Sequence, residues 1–358
     1  MKRVAILRVC DLIAIACFFI VFIKVPFYFI ISSFGIGYFG GGNDADYYHA
    51  YALGEGDVAV NIWPEMLKKL NSVGLYSREL VSYFLMAVSA VVLPVLLGYI
   101  VSFSKRSSLS KYSLLVALCI SLYPTVVFFS LDIYRDMVMI LFFTVGLLFV
   151  RRFTVSNDIW PRVFCFIAIS IISIFLFNIR HYLGVSFFSA FCLFYILPVH
   201  RFPLIIWGVG YMLTLTILFW VGALNVLVEY RQLFDSTQGG SSFGIRFDSV
   251  ATFPMLYLKS FFYQVFGLYF PNKSAVLVFV MESIPFALGF WYLLRNRPYF
   301  NFFVRYLFVF FFIYTTIWVL GNDNMGTAVR LRMLSYIPVL LACVLVYQQK
   351  KNYRRVRS

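Results

Sequence analysis

The chain has 358 residues, of which 62% are hydrophobic and 13% charged, and its net charge is +15. Soluble domains carry roughly 25% charged residues, so the composition excludes an ordinary soluble enzyme. A span needs about 20 apolar residues, which leaves room for about ten spans. The positive charge is then mostly a topology signal that suits an anionic lipid leaflet, and it gives no argument for nucleic acid.

The first predicted span covers Val4 to Ile23, with Arg8 and Asp11 near its start. No small-residue cleavage site follows it, so it is read as a retained span rather than a signal peptide. A first large loop runs from 24 to 79. Its apolar start, Pro26 to Phe39, is expected to re-enter the membrane. The loop then turns at Gly40-Gly41-Gly42 into Asn43-Asp44-Ala45-Asp46-Tyr47-Tyr48-His49. The amphipathic stretch Ile62 to Leu70, with Trp63, Lys68 and Lys69, suits a helix lying at the interface.

Span two is predicted over Leu80 to Phe103 and span three over Tyr112 to Phe129, joined by a basic loop. A short turn, Ser130 to Asp136, leads into span four, Met137 to Val150. Span five, Val163 to Phe177, ends at Asn178-Ile179-Arg180-His181-Tyr182. Span six follows over Leu183 to Leu197, and span seven over Leu204 to Val228. A second large loop, 229 to 274, holds Arg231, Asp235, a flexible Gln238 to Ser242 stretch, Arg246 and Asp248. Its part from Met255 to Phe270 is too apolar for a free loop and is expected on or in the membrane. Span eight, Ala275 to Leu294, contains Glu282. Span nine is Phe302 to Leu320, and the turn Gly321 to Arg332 leads to span ten, Met333 to Tyr347. A basic tail, 348 to 358, closes the chain. The expected architecture is one all-α polytopic membrane domain over 1–358, with no clear internal repeat.

Alternate loops differ in charge. One set carries Lys2, Arg3, Arg8, Lys105, Arg106, Lys111, Arg151, Arg152, Arg162, Arg201, Arg295, Arg297, Arg305, Lys350, Lys351, Arg354, Arg355 and Arg357, with Asp158 as its one acid. The positive-inside rule makes this face, and both termini, cytoplasmic. The other face mixes basic and acidic residues. There Asp44, Asp46, His49, Asp132, Arg135, Asp136, Arg180, His181, Arg231, Arg246, Arg330 and Arg332 are expected to meet.

An arginine costs about 2.5–3.5 kcal/mol at the centre of a span on insertion scales, so arginines near the apolar region are kept where they pair or bind. Guanidinium groups fork onto phosphate oxygens and do not deprotonate. Arg135, Arg180, Arg231, Arg246, Arg330 and Arg332 are therefore candidate binders of an anionic lipid-linked substrate, against the plainer reading that each pairs with a neighbouring acid or a headgroup. Asp44 and Asp46, one residue apart, would point to the same side of an extended segment, as base or cation ligands; an ordinary polar turn is the alternative. His181 beside Arg180 is a candidate acid or base. Glu282 is expected to pair with an arginine. The six cysteines fall in predicted spans and read as inert packing thiols. With no CxxC or HExxH spacing, neither a disulfide nor a metal site is expected, and no cofactor is implied.

The order of certain pieces resembles the bacterial O-antigen and capsule repeat-unit polymerases. These pieces are Tyr134-Arg135-Asp136-Met137, Arg180-His181-Tyr182, Tyr269-Phe270-Pro271 before Glu282, and Gly326 to Arg332 with Pro338 six residues on. The resemblance implies a glycosyltransferase of the bacterial inner membrane that works at its outer face. It would transfer a growing glycan from undecaprenyl pyrophosphate to the sugar hydroxyl of the next lipid-linked repeat unit. It implies no metal, phosphate binding by Arg135, Arg180 and Arg330 or Arg332, His181 or Asp46 as base, and a chain-length regulator as partner. The long first loop departs from that pattern. It looks more like membrane glycosyltransferases that use polyprenyl-phosphate sugars, in which Asp44 or Asp46 would be catalytic. A flippase for lipid-linked sugars is the reading from another class. It would need charges along a central cavity, whereas here they gather at one face.

Overall fold

In the computed structural model, residues 43–56, 58–103, 111–197, 203–232 and 242–357 are described, with scattered positions between 14 and 30. The first predicted span, the Gly40–Gly42 turn, the Gln238–Gly240 stretch and most of the first basic loop lie outside the described residues. The described residues are helical throughout, without a named strand. They form two compact units, 1–184 and 185–358.

In the first unit, α1 (Asn43–Leu53) and α2 (Ile62–Ser72) form a hairpin. Asn61 caps α2 by accepting from Trp63 N at 2.9 Å. Trp63, Pro64 and Leu67 form its buried face, while Glu65, Lys68 and Lys69 are exposed. The Trp63 indole donates to Ile133 O at 2.8 Å, which fixes this hairpin to the turn before α6. The long helix α3 (Arg78–Ser102) packs against α4 (Lys111–Ser121). Their approach is closest at Gly98, where a Cβ would stand 2.9 Å from Ser113 O. After the short α5 (Pro124–Phe128) come α6 (Arg135–Val155) and α7 (Ile159–Ile179), packed together along their length. The next helix, α8 (His181–Leu193), runs across the boundary between the units.

The second unit contains α9 (Leu204–Trp220), α10 (Asn225–Gln232), α11 (Phe253–Val265), α12 (Lys273–Arg295), α13 (Phe302–Gly321) and α14 (Met325–Arg357). Most of α13 and α14 is buried, with Phe310, Phe311, Tyr314 and Trp318 filling their seam. Most of α12 is not buried within the chain, as expected of a helix whose apolar face meets lipid.

Both α3 and α12 contain a π-helical turn, Val88–Val92 and Phe279–Ser283, and each turn ends two residues before a proline, Pro94 or Pro285. A proline inside a helix removes an N–H donor and crowds the carbonyl four residues back; a wider turn just upstream relieves that crowding. The flanking sequences also match. Leu93-Pro94-Val95-Leu96-Leu97-Gly98-Tyr99 and Ile284-Pro285-Phe286-Ala287-Leu288-Gly289-Phe290 share an aliphatic residue, Pro, Leu, Gly and an aromatic in the same order. Pattern reading along the chain found no repeat, because this one is short and is exposed by the shared backbone irregularity.

Among the described residues, six helices are long and apolar enough to cross a membrane. A seventh arises if α9 and α10, bent by 78°, are one broken span. These match predicted spans two, four, five, eight, nine and ten, with seven as the bent pair. Predicted spans three and six are shorter than expected. The third breaks into α4 and α5 ahead of Pro124, and the sixth is a 13-residue helix. Other boundaries shift as well. The last turn is shorter than expected because α14 begins at Met325, which puts Arg330 and Arg332 on a helix, and α14 runs on through the basic tail to Arg357.

Candidate functional site

One end of the first unit gathers charge. Arg78, the first residue of α3, forks onto the buried Asp132 carboxylate, with Nε donating to Oδ1 at 3.0 Å and Nη2 to Oδ2 at 2.6 Å. The same Nη2 reaches Asp46 Oδ1 on α1 at 2.9 Å. Asp132 is fully buried and also accepts from Ile133 N at 2.8 Å. Ser77 caps the helix that presents Arg78. Close by in sequence, His49 Nδ1 and Tyr76 Oη lie 2.9 Å apart. Burial pushes the Tyr76 phenol up to about 12, with Arg78 opposing and Asp132 adding to the shift, so Tyr76 stays protonated at neutral pH.

Three residues beyond Asp132, Arg135 opens α6. It is half-buried, its Nε is shielded from solvent, and it has no hydrogen bond or ion pair among the described residues. Asp136, fully buried in the same first turn, complements the positive end of the helix. The Arg180 guanidinium comes within 4.0 Å of Asp136 from the end of α7 and lies over the Tyr182 ring. Gly184 makes this corner possible. A Cβ there would fall 2.4 Å from Phe177 N and 2.5 Å from Ser173 O, so the start of α8 lies directly on the α7 backbone. His181 is exposed, with its ring edge-on to Phe177 at 4.7 Å. The Ser130–Asp136 turn therefore joins Asp46–Arg78–Asp132 to Arg135 and Asp136–Arg180 as one strip of alternating charge.

In the second unit the arginines have different surroundings. Arg231 is buried and ion-paired with buried Asp323; it also donates to Ile245 O at 2.7 Å, Val319 O at 2.8 Å and Ser260 Oγ at 3.2 Å. Asp323 further accepts from Ser242 Oγ, from Gly244 N at 2.9 Å and from Ile245 N at 3.3 Å. This node ties the extended segment 242–248 to α10, α11 and α13, with Phe243, Ile245 and Phe247 buried and Gly244, Arg246 and Asp248 exposed. Arg332 is buried on α14 and donates to the last carbonyls of α11, Gln264 O and, at 3.2 Å, Tyr263 O. A cation at a helix C-terminus satisfies carbonyls left without intrahelical partners. Gly267, at φ +70°, turns the chain beneath it; a Cβ there would stand 3.1 Å from Arg332 Nη1. Arg330 is half-exposed on α14, and Glu282 is buried in the π-helical turn of α12.

Several expectations are thus corrected. Asp44 and Asp46 lie on the helix α1, not on an extended segment, so they diverge around its axis. Arg231 and Arg332, expected as phosphate binders, have guanidinium groups engaged by the protein itself. The six arginines are divided between two units, with Arg135 and Arg180 in the first. Sequence reading missed Arg78, because it sits where a predicted loop meets a span and has no motif. Its signal was the Ser77 cap followed by a lone arginine at the mouth of an apolar run. Among the described residues, no three His, Cys, Asp or Glu side chains gather as a metal site requires. Compared with known proteins, the chain matches no family model, and neither a curated protein nor a solved structure matches it.

Proposed function

We propose that the chain is a membrane glycosyltransferase that polymerises polyprenyl-pyrophosphate-linked repeat units, working at the outer face of a bacterial inner membrane. The observation that supports this best is the charged strip of the first unit, where Arg135 stands half-buried and unpaired between two carboxylate–arginine pairs. A guanidinium without an internal partner beside an apolar bundle suits the phosphate of a lipid-anchored substrate. In this reading Arg135 and Arg180 hold the pyrophosphate. The acceptor hydroxyl oxygen attacks the anomeric carbon as the C–O bond to pyrophosphate breaks, and the hydroxyl proton passes to Asp46 or His181. Arg246 and Arg330 remain substrate-binding candidates in the second unit. Arg231 and Arg332 do not, because protein groups fill their guanidinium forks.

A second reading is favoured by the exposure of Asp46: a transferase with a polyprenyl-monophosphate sugar donor and Asp44 or Asp46 as base. The surface glycan of a strain lacking the gene separates the two. Lipid core capped by a single repeat unit supports polymerisation. Complete loss of the glycan points to assembly of the unit or to its transport.

A further inference from the structure

The Arg78 guanidinium is shared unequally. Its fork to Asp132 is bidentate and ends on a fully buried carboxylate, whereas its Nη2 contact to Asp46 ends on a side chain that is 67% exposed. Buried, bidentate pairs hold geometry, while exposed pairs contribute little, about 0–1 kcal/mol. Asp132 is therefore an anchor and Asp46 an exchangeable occupant. Arg78 itself is 29% exposed, so its Nη2 edge can be reached from solvent.

We propose that Arg78 is a further anion-binding residue of the transferase site, and that Asp46 occupies its Nη2 edge until a substrate phosphate displaces it. This rests on the polyprenyl-pyrophosphate reading above and deepens it. A phosphate oxygen on Nη2 keeps the guanidinium charge paired, because Asp132 continues to hold Nε and the rest of the fork. The displaced Asp46 carboxylate is then unpaired and next to the bound donor, where it takes the proton of the acceptor hydroxyl as the new glycosidic bond forms. Donor binding and release of the base become one event. Before the donor arrives, Arg78 holds the carboxylate ionised and occupied, which disfavours proton abstraction from water.

The test is binding of a fluorescent short-chain polyprenyl pyrophosphate to the full chain in lipid nanodiscs, read with polymer formation in cells. Asp46→Asn removes the competing carboxylate and keeps the side-chain volume. It is expected to bind the probe about two- to five-fold more tightly than the parent, the range that an exposed ion pair allows, and to make no polymer. In an Arg78→Gln background the same change is expected to leave affinity unaltered. If the parent binds the probe and Asp46→Asn binds equally or more weakly, displacement is overturned while the pyrophosphate reading stands. If the parent does not bind the probe, or Arg135→Ala binds it as well as the parent, the pyrophosphate reading itself fails and the displacement idea falls with it.

Discussion

At the residue scale, burial and partnering sort the arginines more sharply than their positions in the sequence do. Arg135 has no internal partner, so Arg135→Ala is expected to abolish long-chain polymer while the protein stays in the membrane at parental level, as judged by immunoblot of the membrane fraction beside a glycan gel. Unchanged long chains would remove Arg135 from the site. Arg231 presents the opposite case. Removing one partner of a buried ion pair leaves an uncompensated charge and costs about 3–5 kcal/mol. Arg231→Ala is therefore expected to lower the amount of folded protein and its melting temperature in detergent, with glycan loss following protein loss. A full-level, inactive Arg231→Ala protein would instead return this residue to the substrate. The sequence identified both as arginines near helix ends. It could not separate them, because the distinguishing partners, Asp323, Ser260 and the carbonyls of Ile245 and Val319, come from distant segments.

At the element scale, the hydrophobic runs were legible and their interruptions were not. The long apolar helices α3, α6, α7, α12, α13 and α14 follow directly from runs of about 20 apolar residues. The α1–α2 hairpin was hidden inside a predicted loop, although α2 had the periodicity of a helix. The α7–α8 corner was read correctly as the place of Arg180 and His181, but its tightness depends on backbone contact that no periodicity reports. Gly184→Ala tests that tightness. The added methyl meets the α7 backbone, which cannot rotate aside, and overpacking of this kind costs about 1–3 kcal/mol. The expected result is a lower melting temperature together with weaker polymer formation, since Arg180 moves with the corner. Gly208→Ala, in open space on α9, is expected to change neither.

At the scale of the whole chain, the charge pattern makes a prediction that composition alone does not. If the positive-inside rule governs this chain, single cysteines placed in the α1–α2 hairpin and in the basic tail should differ in access. In a cysteine-free parent, a cysteine at Lys69 is expected to react with an impermeant maleimide added to intact spheroplasts. One at Asn352 is expected to react only after lysis. Reaction of both in intact cells would overturn the topology on which the extracytoplasmic reading depends. The two-unit division was not legible in the sequence, because no soluble linker or shift of composition marks it.

The π-helical turns set how the chain tolerates changes in length. Each holds one residue more than an α-helical turn of the same span, so it acts as an insertion already absorbed. Deleting a single residue from Val88–Val92 or Phe279–Ser283 would restore α-helical register and rotate all that follows by about 100°. Gly98 would then turn away from Ser113, and Gly289 from Cys343, its neighbour on α14. A bulkier side chain would be driven into each seam. A length-variant library of these two spans should therefore be depleted of one-residue deletions at the wide turns, even where substitutions at the same positions are accepted.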